Sequence, residues 1–142
     1  VFVSGRTSVR HTGVVIDDDA RCPCGTGDTY GDCCGPAHRQ SRPAPTAEAL
    51  MRSRFSAFAL GDADYLLASW HPSTRPDHLD LDPRVRWYRL DVTATHAGGP
   101  FGDRGTVAFV AHHRSPGGPG KQAETSRFVR ERGRWYYVDG HG

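Results

Sequence analysis

Apolar residues follow a helical period early in the chain and a period of two late in it. Ala47, Leu50, Met51, Phe55 and Phe58 fall on one side of a helix, with Arg52, Ser53 and Ser56 mostly elsewhere. Thr46 stands ahead of the run as a cap, Glu48 puts a negative charge in the first turn, and Gly61 stops it. A second, shorter helix is predicted over Ala63 to Trp70, capped by Asp62 or Asp64 and ended by Pro72. Its Tyr65, Leu66, Ser69 and Trp70 share a face. Beyond Pro83 the pattern alternates. Val85 to His96 places Tyr88, Leu90, Val92 and Ala94 on one face and Trp87, Arg89, Asp91 and Thr93 on the other. Thr106 to His113 is apolar on both faces and reads as a central strand, Ala123 to Arg132 as a third, and Arg134 to Asp139 as a fourth. Gly98-Gly99-Pro100, Ser115 to Gly120 and Gly133 supply the turns. Four strands in a meander need cover, and two amphipathic helices precede them. The predicted class is α+β, with helices packed on a four-stranded antiparallel sheet.

Composition narrows the picture. At 142 residues the chain has room for one main domain and something small. Aromatic content of 10% and hydrophobic content of 37% exclude a fully disordered protein. The net charge of +2 gives little attraction to nucleic acid or anionic membrane. The tract from Lys121 to Arg134, followed by Trp135, Tyr136 and Tyr137, is basic and aromatic. The near-neutral total argues that it is an exposed strand face and not a nucleic-acid site. No stretch reaches the ~20 apolar residues of a membrane span, nor the roughly 7 to 15 of a signal peptide. The sequence therefore predicts a cytoplasmic protein.

All four cysteines lie in one segment, Cys22-Pro-Cys24-Gly-Thr-Gly-Asp-Thr-Tyr-Gly-Asp-Cys33-Cys34-Gly. The spacing is C-x-C-x8-C-C. In a reducing compartment such a cluster points to metal before disulfides. Bridged Cα atoms usually lie ~4.4 to 6.8 Å apart, so a Cys33–Cys34 bridge would be strained, whereas cross-pairing with Cys22 and Cys24 is geometrically open. Four thiolates close a tetrahedral zinc shell and leave no position for a catalytic water. Gly25, Gly27 and Gly35 give the loop access to positive φ, and His38 can replace a cysteine as ligand, although a neighbour of the centre or a solvated side chain is the favoured reading. The expected division is a flexible tail over 1–20, the zinc motif over 21–38, a polar linker over 39–45 and the α+β domain over 46–142.

The cysteine segment resembles the SEC-C motif, a zinc module also found at the end of a preprotein translocase ATPase. The usual Ser-Gly-Lys-Lys-Tyr is here Thr26-Gly27-Asp28-Thr29-Tyr30, and the usual closing Cys-His is Cys33-Cys34. The segments Thr46 to Phe58, Trp70-His-Pro-Ser-Thr-Arg-Pro76, Ser126-Arg-Phe-Val-Arg-Glu131 and Arg134-Trp-Tyr-Tyr-Val-Asp-Gly140 are similar to the YchJ-like family of bacterial proteins with no established activity. The resemblance covers roughly residues 21 to 140. It implies a fold like nuclear transport factor 2, a curved antiparallel sheet whose helices close a cone-shaped interior.

Two functional expectations follow. One is a zinc-binding adaptor whose knuckle, ligated by Cys22, Cys24, Cys33 and Cys34, docks a protein partner while the cone domain carries it or forms a homodimer. The other is a cone that binds a small molecule or does chemistry, with the knuckle as a brace. The candidate pocket residues are Arg54, Trp70, His71, His112 and Glu124. His71 is also placed to meet free carbonyls at a helix end, and Arg52 and Arg54 to bind an anionic ligand or, as the favoured reading, to pair with Glu124 or Asp139. The sequence contains no Ser/His/Asp signature and no phosphate-cradling glycine loop, which weighs against an enzyme.

Overall fold

Thr46 acts as the cap its position suggests: its Oγ1 accepts from the Ala49 amide at 3.1 Å, and helix α2 runs Ala47–Leu60 to a left-handed Gly61. In the computed structural model, residues 15–142 are described. A 3-10 turn at Tyr30–Asp32 and a one-turn helix α1, Gly35–His38, precede α2. Helix α3, Ala63–Ala68, follows, with Asp62 as its cap accepting from the Tyr65 amide at 3.0 Å. Then come β1 (Arg86–Ala97), β2 (Arg104–Ser115), β3 (Gly118–Glu131) and β4 (Arg134–His141). They form one antiparallel sheet in the order β1-β2-β3-β4. The helices cover one face of that sheet, in a cone-type α+β arrangement.

Three local readings change. The turn expected over Ser115 to Gly120 is tighter: Ser115 pairs with Gly118, so Pro116-Gly117 suffice and β3 begins early. Register shifts between Trp87 and Arg89 and between Val92 and Ala94 break the simple alternation of β1. Tyr88 is 47% exposed, whereas Trp87 packs against the core, the reverse of the alternating assignment. Ser53 and Ser56 are fully enclosed. Nine of the fourteen α2 residues are buried, because the sheet covers one side of the helix and the cysteine segment and α3 cover the rest. Cys22, Cys24 and Cys34 belong to the same core cluster as Leu50, Phe55, Val107 and Phe128.

Ile16 also packs against this core, and Asp18 meets Arg39 at 2.9 Å. Both belong to the stretch expected as a tail, so the packed chain begins before Arg21. Residues 1–14 of that stretch lie outside the described residues. The Arg-rich strand uses its arginines internally: Arg127 pairs with Asp139, and Arg130 Nη1 donates to the Pro100 carbonyl. Among the described residues no helix is long and apolar enough to cross a membrane.

Helix α2 is anchored at its start by a close backbone approach. The Ala47 amide donates to the Gly98 carbonyl at 3.0 Å. A methyl on Gly105 would stand 2.5 Å from Gly98 Cα, and one on Gly98 would stand 2.7 Å from Ala47 Cβ. Backbone cannot yield as a side chain can. Gly105→Ala is therefore expected to cost about 1–3 kcal/mol in thermal or urea unfolding. Gly99→Ala, with nothing within 4 Å of its new methyl, should change little. Equal stability of the two variants would contradict this view of the joint.

Candidate metal centre and chamber

The cysteine segment is folded by its own backbone. Arg21 and Thr29 form an isolated bridge, the Cys22 amide donates to the Asp28 carbonyl at 3.0 Å, and the Cys33 amide donates to the Tyr30 carbonyl at 3.1 Å. Gly25 and Gly27 hold φ of 83° and 96°, as the turn requires. Gly35 instead serves close approach: a methyl there would lie 2.8 Å from the Tyr30 carbonyl oxygen. The result brings the four Sγ atoms within 4.8 Å of one another. Cys24 and Cys33 are 3.5 Å apart and Cys33 and Cys34 are 3.9 Å apart. A tetrahedron with metal–sulfur distances of ~2.3 Å has edges of about 3.8 Å, so the spacing fits a tetrahedral metal ion. None of the four is disulfide-bonded.

The charge balance of the cluster points the same way. Hydrogen bonds from Cys24 and Cys34 hold the Cys22 thiol far below its ordinary range, and hydrogen bonds with Cys22 and Cys24 push Cys34 up. Burial raises Cys33 to about 12. The Cys22 thiolate is favoured while Cys33 and Cys34 resist ionisation, through hydrogen bonding within the cluster and burial. A divalent cation among the sulfurs removes that conflict.

Polar groups that the sequence did not single out as centre residues surround the sulfurs. Ser56 Oγ donates to Cys34 Sγ at 3.3 Å and lies 3.6 Å from Cys22 Sγ. Thr26 Oγ1 lies 3.2 Å from Cys33 Sγ, and Arg52 Nη1 donates to the Cys24 carbonyl at 3.0 Å. His38 is no ligand. Its Nε2 faces the Ser53 carbonyl at 2.7 Å and so carries the proton, leaving Nδ1 to accept from the Tyr30 hydroxyl at 2.6 Å. The bland polar side of α2, two small serines in place of charges, was the available signal that something packs there.

On the other side of α2 lies a chamber of about 190 Å³. Phe55, Phe58, Trp70, Trp87 and Tyr137 give it aromatic walls, and Arg54 and Glu124 are its charged members. Of the five expected pocket residues, Arg54, Trp70 and Glu124 come together. His71 and His112 do not. His71 sits outside, with Nδ1 accepting from the Ser73 amide at 3.1 Å and Nε2 on Glu131 at 3.0 Å. His112 bonds Asp91 at 2.9 Å away from the chamber; with Arg89 it holds the Asp91 carboxyl below the usual range. Arg54 also departs from expectation: it makes no ion pair among the described residues. Asp139 is taken by Arg127, and Glu124 accepts from Gln122 Nε2 at 3.0 Å and from Ser126 Oγ at 2.8 Å.

Removing the Ser56 hydroxyl leaves the four sulfurs in place but strips one donor from them. Ser56→Ala is expected to lower metal affinity by roughly tenfold in a competitive chelator titration without abolishing binding. Unchanged affinity would mean that Ser56 only fills space.

Residues 46–140 match the family described as YchJ, middle NTF2-like domain, and residues 20–36 match the SEC-C motif. A UPF0225 protein of Corynebacterium efficiens is 55% identical over 121 residues, covering 85% of this chain and 92% of its own length. One from Streptomyces coelicolor is 52% identical over 119 residues, covering 84% and 93%. The solution structure of a SEC-C motif containing protein from Rhodopseudomonas palustris is 40% identical, with a TM-score of 0.75, over 85% of this chain and 97% of that one. A crystal structure of a SEC-C motif containing protein from Psychrobacter arcticus gives 29% identity and a TM-score of 0.71, over 86% and 82%. With a cysteine knuckle that fits a metal ion, packed on a helix-covered meander, the chain belongs to the YchJ-like UPF0225 family.

Proposed function

We propose that Cys22, Cys24, Cys33 and Cys34 hold one zinc ion as a structural centre, and that the ion fixes α2 as one wall of a small-molecule chamber. The observation behind this reading is the shared core. Three of the four cysteines pack in the same cluster as Met51 and Phe55, and both of those residues line the chamber. Zinc suits an all-thiolate tetrahedron, and four protein ligands leave no open position for a catalytic water. The chemistry of the protein, on this reading, belongs to the chamber, and a reducing cytoplasm suits four free thiols.

The adaptor role has its own support. Gly25, Thr26, Gly27 and Asp28 are all exposed and Cys33 is half-buried, so the outer side of the centre faces solvent. A protein partner could read that loop while the inner side braces α2. Asp28→Lys should then abolish partner co-purification without lowering the melting temperature; retention of every partner would leave the loop without that role.

The zinc reading is tested by native mass spectrometry of the reduced protein, followed by chelation. The expected result is one zinc per chain. Its removal should lower the melting temperature and shift tryptophan emission, since Trp70 and Trp87 line the chamber. A metal-free protein, or chelation that leaves both signals unchanged, would contradict it.

A further inference from the structure

Arg54 is the most unusual side chain in the chamber. It is 3% exposed and carries its charge into an aromatic enclosure. Its guanidinium carbon lies 4.4 Å from the Tyr137 ring centroid and 5.2 Å from that of Trp70, so two rings hold its plane. Nη1 donates to the Leu66 carbonyl and to Ser69 Oγ, each at 2.7 Å, which uses both of its protons. No atom among the described residues accepts from Nε or Nη2.

Those two nitrogens are not sealed in. The one fully enclosed side-chain nitrogen or oxygen without a partner, among the described residues, is His113 Nδ1. Nε and Nη2 are therefore not fully enclosed, and the cavity that Arg54 lines is the chamber. Together they present the side-on fork of a guanidinium, two parallel N–H groups spaced for the two oxygens of a carboxylate. A buried arginine normally finds such an acceptor in the protein. Here the carboxylate that lines the same chamber, Glu124, is held by Gln122 and Ser126 and forms no ion pair with it.

We infer that the chamber is a binding site for a small aromatic monocarboxylate, its carboxylate on the Nε–Nη2 fork of Arg54 and its ring among the aromatic walls. This rests on the chamber reading above and names the ligand class. Size supports it: an apolar cavity of about 150 Å³ holds benzene, so 190 Å³ accommodates one ring and a carboxylate. Charge supports it too. Glu124 lines the same space and opposes a second negative charge, which disfavours phosphate and dicarboxylates. The Arg54 cation likewise excludes the ammonium ligands that aromatic boxes often hold. Burial draws the Arg54 pKa down to about 10, a cost that a bound carboxylate would offset.

The test uses the full-length, metal-loaded protein and three probes: benzoate, benzamide and inorganic phosphate. Tryptophan emission and indole N–H resonances report on the chamber through Trp70 and Trp87, with Trp135 as the outside reference. Benzoate should bind saturably, perturb the two chamber indoles and raise the melting temperature. Benzamide, of similar shape without the charge, should bind roughly tenfold or more weaker, and phosphate should leave the indoles unmoved. Arg54→Lys keeps the charge but loses the fork, and should erase the preference for benzoate over benzamide. If that variant does not fold, the wild-type comparison still decides. Equal binding of benzamide and benzoate, or a phosphate response matching benzoate, overturns the carboxylate assignment and leaves the chamber reading standing. No binding by any probe overturns both.

Discussion

A helix that buries nine of its fourteen residues needs cover on two sides, and α2 receives it from different elements on each. The sheet supplies the apolar side through Val107, Phe109 and Phe128. The cysteine knuckle and α3 supply the other, where Ser56 is enclosed against Cys34 and Ser53 against Tyr65. The sheet leaves two serine hydroxyls on the far side of the helix to be satisfied. Ser56 finds Cys34, and Ser53 Oγ meets the Leu50 carbonyl and the Tyr65 hydroxyl, each at 2.7 Å. His38 adds a third tie through the Ser53 carbonyl. The cysteine cluster is thus part of the hydrophobic core and not an appendage to it.

This arrangement connects two regions that look separate along the chain. Ser56 touches the cysteines, and Arg54 and Phe55 line the chamber, within three consecutive residues of one helix. A small rotation of α2 that relieved the sulfur cluster would swing the Arg54 fork relative to Trp70 and Tyr137. Backbone contact at Gly98 and Gly105 fixes the start of the same helix, and the left-handed Gly61 fixes its end. The position of Arg54 is therefore determined from the knuckle, from the sheet hairpin and from both helix ends.

Much of this was legible in the sequence. Four cysteines in a thirteen-residue span can close on one ion, and Thr46, Asp62, Gly61 and the alternating strands announce their roles through local chemistry. The tight turn at Arg132-Gly133, with φ of 51° and 80°, was visible as a glycine between two strands. What escaped is what depends on distant partners. The register shifts in β1 exchange Trp87 and Tyr88 between core and solvent, and no local signal marks them. Ser53 and Ser56 read as a polar face until α3 and the knuckle are placed over them. His71 and His112 carry suitable chemistry for a pocket, but Glu131 and Asp91 draw them elsewhere. The sequence offers Arg54 two carboxylate partners; that it lacks one depends on Arg127 taking Asp139 and on Ser126 and Gln122 holding Glu124.

The central claim is that the metal centre and the chamber share α2 as a common structural element. Amide hydrogen exchange on the metal-loaded and chelated protein measures this directly. The account predicts that removing the metal exposes the α2 amides from Leu50 to Ala57 as well as those of the knuckle, and loosens β2 and β4 much less. Faster exchange confined to the cysteine segment, with α2 as protected as before, would show that the helix stands without the centre and would contradict the account.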